Sequence, residues 1–239
     1  MSAILRRSAV KGFVVAAASM SSGLVKGAPI RDEAAIRNFH LWYYNNMDQT
    51  WNNSKWMGIP VWKMPLDLWI YQEMICELKP DVVIEAGTWK GGSALYLAHM
   101  MDPLQKGRVI TIDIQPQPNL PKHPRITYLS GSSTSPAIVS KVRSMIKPGE
   151  KVMAVLDSDH VKPHVLKECD LYGPLVTVGS YLIVEDTNVN RHPVLPNFGP
   201  GPMEAVEEFL KSNTNFAVDE SREKFGFTFN PGGFLRKIK

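Results

Sequence analysis

From residue 81 to residue 186 the chain alternates short aliphatic runs with stretches of helical periodicity. The runs predicted to be strands are DVVIEAG, RVITID, RITYLSG, KVMAVLD and GSYLIVED, and the predicted helices are GGSALYLAHMM, SPAIVSKVRSMI and HVLKECDLYGPLV. Strands that are nearly continuous aliphatic runs are buried on both faces, and their alternation with helices is typical of a covered parallel sheet. The sequence therefore predicts a doubly wound α/β fold.

The pattern changes after residue 186. The predicted helix MEAVEEFL is followed by two short strands, NFAVD and GGFLRKI, with no clear helix between them. Two such strands pair antiparallel, because parallel pairing requires a longer crossover connection. We therefore expect a mostly parallel, seven-stranded sheet with an antiparallel last strand, preceded by an N-terminal helical extension.

The chain divides by composition into three regions. Residues 1–30 are basic and apolar, and their only charged residues, Arg6, Arg7, Lys11 and Lys26, account for the net charge of +4. Because the charge is carried by this tail, it does not indicate a basic groove for nucleic acid. Residues 31–80 are rich in Trp, Tyr and Asn, with a predicted helix that Pro80 ends, and we expect them to cap the domain edge or a pocket. Residues 81–239 contain the predicted sheet.

Polar side chains follow the predicted strands, at the edge where open parallel sheets bind ligands. The first strand runs into IEAGTWKGGS, in which Gly87 and Gly91 allow a tight turn. The helix that starts near Ser93 directs its free N–H groups and positive dipole end towards this edge. The GxxxGG spacing differs from the GxGxxG of dinucleotide sites, and Glu85 suits a cationic amino group while repelling a pyrophosphate.

The next two strand ends indicate a nucleoside. Asp113 ends the second strand, where nucleotide-binding α/β domains keep a carboxylate for ribose hydroxyls. Ser132 and Ser133 follow the third strand, where they would face an adenine; the alternative is a turn with a helix cap. A ligand with an amino acid at one end and a nucleoside at the other is S-adenosylmethionine, which we predict as the cofactor.

Three acids end the fourth and fifth predicted strands: Asp157, Glu185 and Asp186. Adjacent strand ends bring their carboxylates together, where they repel one another unless a cation neutralises them. A set of carboxylate oxygen ligands that includes no thiolate or other soft ligand indicates Mg²⁺ or another hard divalent cation rather than zinc. The alternative is that these acids cap the helices that follow.

His160 follows Asp157 by three residues, within reach of a hydroxyl bound to that cation. An imidazole titrates near neutral pH, so we expect His160 to take the hydroxyl proton, with Asp157 as its catalytic partner. Two other arrangements are open. His160 and His164 have the spacing of a zinc pair, and Asp157, His160 and His192 form a candidate iron triad.

The motifs IEAGTWKGGSALYLA, VITID, LDSDH and LIVEDTN resemble those of class I, metal-dependent O-methyltransferases such as the catechol and caffeoyl-CoA enzymes. The stretches LDSDHVKPHVL, IVEDTNVNRHPVLPNFGPGPMEAVEEFL and KFGFTFNPGGFL resemble a smaller group, which contains glycolipid rhamnosyl O-methyltransferases and a cephalosporin-pathway protein long labelled a hydroxylase. The resemblance covers the chain from about residue 36 to its end.

The resemblance implies functions for individual residues. Asp157, Glu185 and Asp186 are expected to hold Mg²⁺, and Glu85, Gly87, Ser93 and Asp113 to contact the cofactor. The catechol enzymes have a lysine as base at the position of His160, so this chain departs from them there. The predicted activity is Mg²⁺-assisted methyl transfer to a hydroxyl, of a sugar in a glycoside or glycolipid. The alternatives are an iron-dependent hydroxylase and a non-catalytic cofactor-binding protein.

The cofactor also bears on location. Residues 1–30 indicate either a targeting signal or an amphipathic helix on the domain or a bilayer surface, and a cofactor made and used in the cytosol favours the helix. We therefore expect a cytoplasmic protein, with membrane association through this segment as an option. The expected partners are a small-molecule or glycolipid hydroxyl acceptor and no nucleic acid; exposed aromatic residues would also permit a homo-oligomer.

Overall fold

The computed structural model describes residues 32–115 and 117–239. Its helices are α1 (Glu33–Asn45), α2 (Pro65–Leu78), α3 (Gly92–Met101), α4 (Pro136–Ser144), α5 (Lys162–Tyr172) and α6 (Pro202–Ser212). Its strands are β1 (Lys55–Trp56), β2 (Ile59–Pro60), β3 (Val82–Ala86), β4 (Arg108–Asp113), β5 (Ile126–Ser130), β6 (Val152–Leu156), β7 (Tyr181–Val184), β8 (Phe216–Val218) and β9 (Phe234–Lys237). The predictions for residues 1–30 lie outside the described residues. None of the helices described here is long and apolar enough to cross a membrane.

Seven of these strands form one sheet in the order β5-β4-β3-β6-β7-β9-β8. The strands from β3 to β7 pair in parallel, and β9 runs antiparallel to both β7 and β8. The predicted doubly wound sheet with a reversed last strand is confirmed. The two short strands β1 and β2 form a separate antiparallel hairpin.

The strand order reverses at β3, which has β4 on one side and β6 on the other. Ala86, the last residue of β3, is in register with Ile112 of β4 and Leu156 of β6. The N–H of Glu185, just after β7, donates to the carbonyl of Leu156 at 3.0 Å. The residues that follow these strands therefore meet at one edge, at the switch point where open α/β sheets bind ligands.

Alternate residues of the strands enter two hydrophobic clusters, one on each face of the sheet. Val82 packs into the cluster that contains Cys169 of α5 and Phe209 of α6. Val83 packs into the other, which contains Tyr71 of α2. Both faces are covered, which explains why the strands are continuous aliphatic runs in the sequence.

The segment before the sheet belongs to the same compact unit, which extends from Glu33 to Lys239. Met64, Phe227 and Phe229 form a third buried cluster, and Tyr43 and Tyr44 of α1 pack against it. The aromatic residues of α1 therefore rest on the segment that leads into β9.

Candidate active site

A cavity of about 510 Å³ opens at the carboxyl edge of the sheet. The predicted site residues in its wall are Gly87, Ser93, Asp113, Ser132, Ser133, Asp157, His160 and Asp186. Glu85 and Glu185 are buried below the wall, and Gly91 packs against the ring of Pro121. Strand ends that are far apart in the sequence thus contribute to one cavity.

Asp157, His160 and Asp186 form a compact ionisable cluster whose ligand atoms lie within 4.8 Å of one another. Nε2 of His160 is 3.4 Å from Oδ1 of Asp157 and 3.2 Å from Oδ2 of Asp186. Burial disfavours the charged imidazole, but the charges of Asp186 and Asp157 outweigh it and raise the pKa of His160 to about 9. Burial raises the pKa of Asp186 to about 6 although His160 opposes the rise.

Lys63 is a cavity residue that sequence analysis missed. Its Nζ lies 2.7 Å from Oδ2 of Asp157 and 2.7 Å from Oε1 of Glu185, and its side chain is only 2% exposed. Burial favours the neutral amine, yet these two carboxylates raise the pKa of Lys63 above its usual value. The hydroxyl of Tyr71 also donates to Oε1 of Glu185. In the sequence Lys63 precedes α2 like an ordinary turn lysine, so no local signal distinguishes it.

The glycine turn after β3 is shaped by contacts with the rest of the protein. Gly87 has φ +103°, and a Cβ there would lie 1.8 Å from the carbonyl oxygen of Asp157. A Cβ on Gly92 would lie 2.1 Å from the carbonyl oxygen of Pro60. The space beside Gly87 is thus filled by the residue that follows β6, and the space beside Gly92 by the β1–β2 hairpin.

Two further acids lie on the same side of the cavity. The carboxylate of Asp113 accepts hydrogen bonds from the N–H groups of Trp89 (2.7 Å) and Gln115 (2.8 Å). Oε2 of Glu85 accepts from the Thr111 hydroxyl at 2.6 Å, while its buried Oε1 makes no hydrogen bond of standard geometry. Burial raises the pKa of Glu85 to about 7, although the charge of Lys63 opposes the rise. The Ser93 hydroxyl also lowers the pKa of Glu85 by hydrogen bonding, so a ligand or water donor to Oε1 would share that oxygen's surroundings with Ser93.

Ser132 and Ser133 do not cap the next helix. The N-cap of α4 is Ser135, whose side chain accepts a hydrogen bond from the helix. Ser133 Oγ lies 3.2 Å from Nε2 of His164, and Ser132 Oγ lies 3.2 Å from the Thr134 hydroxyl. Both serines line the cavity, which leaves them available to a ligand.

The two alternative metal sites are not formed by the residues that the structure describes. Nε2 of His164 lies 3.3 Å from Glu168, and His164 is not part of the cluster around His160. Nε2 of His192 lies 3.2 Å from Glu204, outside the same cluster. The structure therefore lends no support to the zinc pair or the iron triad considered from the sequence, and Asp186 is the third residue beside Asp157 and His160.

A second group of ionisable residues is compact enough for a metal ion and consists of His99, Asp102 and His123. Both of its histidines are engaged in hydrogen bonds. Nδ1 of His99 accepts from the indole N–H of Trp56 at 2.9 Å. Nδ1 of His123 accepts from the N–H of Arg125 at 3.2 Å. Each neutral ring therefore carries its proton on Nε2, and neither has a lone pair free for a metal.

Aromatic side chains form another part of the cavity wall: Tyr44, Trp51, Trp62 and Phe229. The rings of Trp51 and Trp62 meet edge to face, with centroids 6.1 Å apart. Trp62 lies against Trp89 with centroids 3.8 Å apart. Burial and the charge of Asp186 raise the pKa of Tyr44 to about 12. The Trp-rich region before the sheet thus supplies three of these four residues.

The fold and the site together define a class of protein. A doubly wound sheet with a reversed last strand and a glycine turn at its switch point is the Rossmann-like fold of the methyltransferases. Solved structures of CmcI share this fold. Its apo structure matches with a TM-score of 0.61 over 79% of this chain and 77% of that one, at 20% identity. A structure of CmcI with Mg and SAM matches with a TM-score of 0.60 over 79% of this chain and 78% of that one, at 19% identity.

Sequence comparison identifies the family. Residues 48–238 match the family described as Rhamnosyl O-methyltransferase/CmcI. A rhamnosyl O-methyltransferase of Mycobacterium bovis (strain BCG / Pasteur 1173P2) is 44% identical over 211 residues, which cover 85% of each chain. One of Mycobacterium leprae (strain TN) is 44% identical over 210 residues, covering 85% of this chain and 90% of that one. The chain belongs to the Rhamnosyl O-methyltransferase/CmcI family.

Proposed function

We propose that this protein transfers the methyl group of S-adenosylmethionine to a hydroxyl of a sugar, in a glycoside or glycolipid, with the assistance of Mg²⁺. The observation that carries the proposal is a single cavity that combines a carboxylate–histidine cluster, a strand-end aspartate and an aromatic wall. Family membership supports methyl transfer, and the 44% identical relatives are named for a rhamnosyl acceptor.

The cofactor is proposed to lie along the ends of β3, β4 and β5. Its amino acid end would face Ser93 in the first turn of α3, with Gly87 and Gly91 shaping the turn above Glu85. The buried carboxylate of Glu85, one oxygen of which makes no hydrogen bond of standard geometry, fits an ammonium group, directly or through water. Asp113 would accept from the ribose hydroxyls, and Ser132 and Ser133 would lie at the adenine. The structure of CmcI with Mg and SAM supports this pairing of ligands.

The divalent cation is proposed to be held by Asp157, Glu185 and Asp186. Asp157 and Asp186 meet the requirement for convergent hard oxygen ligands, because their carboxylates lie within 4.8 Å of each other and of His160. Glu185 is not part of this convergent group, and its Oε1 receives Lys63 and Tyr71, so only its second oxygen is proposed as a ligand of the cation. When bound, the cation supplies Lewis acidity that lowers the pKa of the acceptor hydroxyl.

His160 is the proposed base. Its Nε2 is directed at the carboxylates that would hold the cation, so the imidazole would be within reach of an acceptor hydroxyl at that site. Against the effect of burial, the charges of Asp186 and Asp157 raise the pKa of His160 to about 9, so without a cation the ring is protonated at neutral pH. A cation held by the same carboxylates would offset their charges and favour the neutral imidazole that takes the proton. The ring can therefore hold the proton while the hydroxyl oxygen attacks the methyl carbon.

The aromatic wall is the proposed acceptor subsite. Tyr44, Trp51 and Trp62 come from residues 31–80, which we propose act as a cap on the cofactor-binding region formed by residues 81–239. Flat aromatic faces pack against the apolar C–H face of a pyranose and exclude water around the reacting hydroxyl. Fixing the sugar in this way would align its oxygen with the sulfonium methyl group.

The test uses the full-length protein with methyl-labelled S-adenosylmethionine and an alkyl rhamnopyranoside, with Mg²⁺ or with excess chelator. We expect cofactor binding in calorimetry and label transfer that requires the cation. Asp157→Asn and His160→Gln should each reduce transfer by about 100-fold or more, whereas Asp170→Asn, which changes an exposed acid of α5, should leave it unchanged. Full transfer in chelator would rule out the assistance of the metal, and absence of cofactor binding would rule out the methyltransferase activity.

A further inference from the structure

We propose that Lys63 is a positioning residue, a permanently bound internal cation that holds Asp157 and Glu185 by one oxygen each and weakens the affinity of the site for a divalent cation. The inference rests on the metal site of the proposed function and concerns how the chain itself prepares that site. The metal set predicted from the sequence contained acids only, so nothing in it accounts for a buried lysine among them.

The contacts of Lys63 fix one oxygen of each carboxylate. Oδ2 of Asp157 receives the ammonium, while Oδ1 faces the imidazole of His160 at 3.4 Å. Oε1 of Glu185 receives both the ammonium and the hydroxyl of Tyr71. Outer partners of this kind orient the carboxylates that would bind a metal ion.

The lysine is anchored on both sides in the chain. Val61 is buried, and its N–H donates to the carbonyl of Ser54 at 3.0 Å. Met64 is buried in the cluster with Phe227 and Phe229 and is the N-cap residue of α2. Because its neighbours are held in this way and its side chain is enclosed, Lys63 cannot move its charge into solvent when a cation enters the site.

The charges determine the direction of the effect. Glu85, Asp157 and Glu185, which end or follow three neighbouring strands, all act electrostatically on this one ammonium. Without it, buried carboxylates would lack a counter-charge, which is costly in a protein interior. When the ammonium of Lys63 is present, its fixed positive charge repels a divalent cation bound by Asp157. Lys63 therefore stabilises the protein without a cation and opposes tight binding of the cation.

The test compares full-length wild type with Lys63→Met, and with Lys211→Met as a control that removes a charge from the exposed surface of α6. Mg²⁺ is titrated into protein stripped of cations, and both calorimetry and the thermal midpoint are recorded. We expect Lys63→Met to have a lower midpoint without Mg²⁺, a larger rise on its addition, and an affinity for Mg²⁺ about tenfold or more above wild type. The control should match wild type in all three measurements.

If wild type binds Mg²⁺ and Lys63→Met binds it no more tightly, the proposal for Lys63 is overturned and the proposed function still stands. Absence of Mg²⁺ binding in both proteins overturns both. If Lys63→Met does not fold, Lys63→Gln, which keeps a hydrogen-bond donor without the charge, takes its place with the same expected gain in affinity. A Gln variant with the Mg²⁺ affinity and midpoint shift of wild type likewise overturns the proposal.

Discussion

Replacing Gly87 by alanine would test how closely the glycine turn is held against the strand end that carries Asp157. Gly87 has φ +103°, and a Cβ would lie 1.8 Å from the carbonyl oxygen and 2.5 Å from the carbonyl carbon of Asp157. A positive φ costs an L-residue about 1–2 kcal/mol, and overpacking a tight contact costs about 1–3 kcal/mol. The contact is with backbone, which cannot rotate away, so we expect Gly87→Ala to lower the free energy of unfolding by about 2–5 kcal/mol.

Gly149 provides the matched control, because it has φ +82° and no atom within 4 Å of an added Cβ. Gly149→Ala should lose only the backbone contribution, about 1–2 kcal/mol. Urea denaturation followed by circular dichroism gives both values, and calorimetry with S-adenosylmethionine should show weaker binding for Gly87→Ala alone. Equal losses of stability in the two variants would refute the claim that the turn and the end of β6 are in direct contact.

Two further predictions concern the acceptor subsite and the response to acid. Trp62→Ala should raise the KM for the sugar acceptor about 2- to 10-fold with little change in kcat. Trp69→Ala, which removes an exposed Trp outside the cavity wall, should leave this KM unchanged. Equal changes of KM in the two variants would contradict the proposed acceptor subsite. The hydrogen bonds from Arg108 hold the pKa of Glu150 at about 2, below its usual 4.5. The contribution of this ion pair to the free energy of unfolding is present above pH 4.5 and is lost as the pH falls towards 2. Arg108→Met should therefore reduce the dependence of urea stability on pH in that interval, and an unchanged dependence would argue against the ion pair.

Much of the candidate site could be predicted because each strand end is a local feature of the sequence. An aliphatic run that stops at Asp113 or Asp157 identifies both the strand and the first polar residue beyond it. The depth of a side chain could not be predicted in the same way. Glu85 and Glu185 belong to strand ends as expected, but they are buried below the cavity, because the sheet is covered there by α2 and the segment before it.

The doubly wound sheet, its reversed last strand and the edge at which the acids collect can all be predicted from the sequence, because they follow from hydrophobic periodicity and from the rule that parallel strands share one carboxyl edge. The pairing of the acids with their partners becomes visible only in the folded protein. Lys63 is 94 residues from Asp157 and 122 from Glu185, and no local pattern records that its ammonium lies between them. A buried carboxylate that stays charged needs a counter-charge beside it. Which residue supplies that counter-charge depends on how distant parts of the chain pack together.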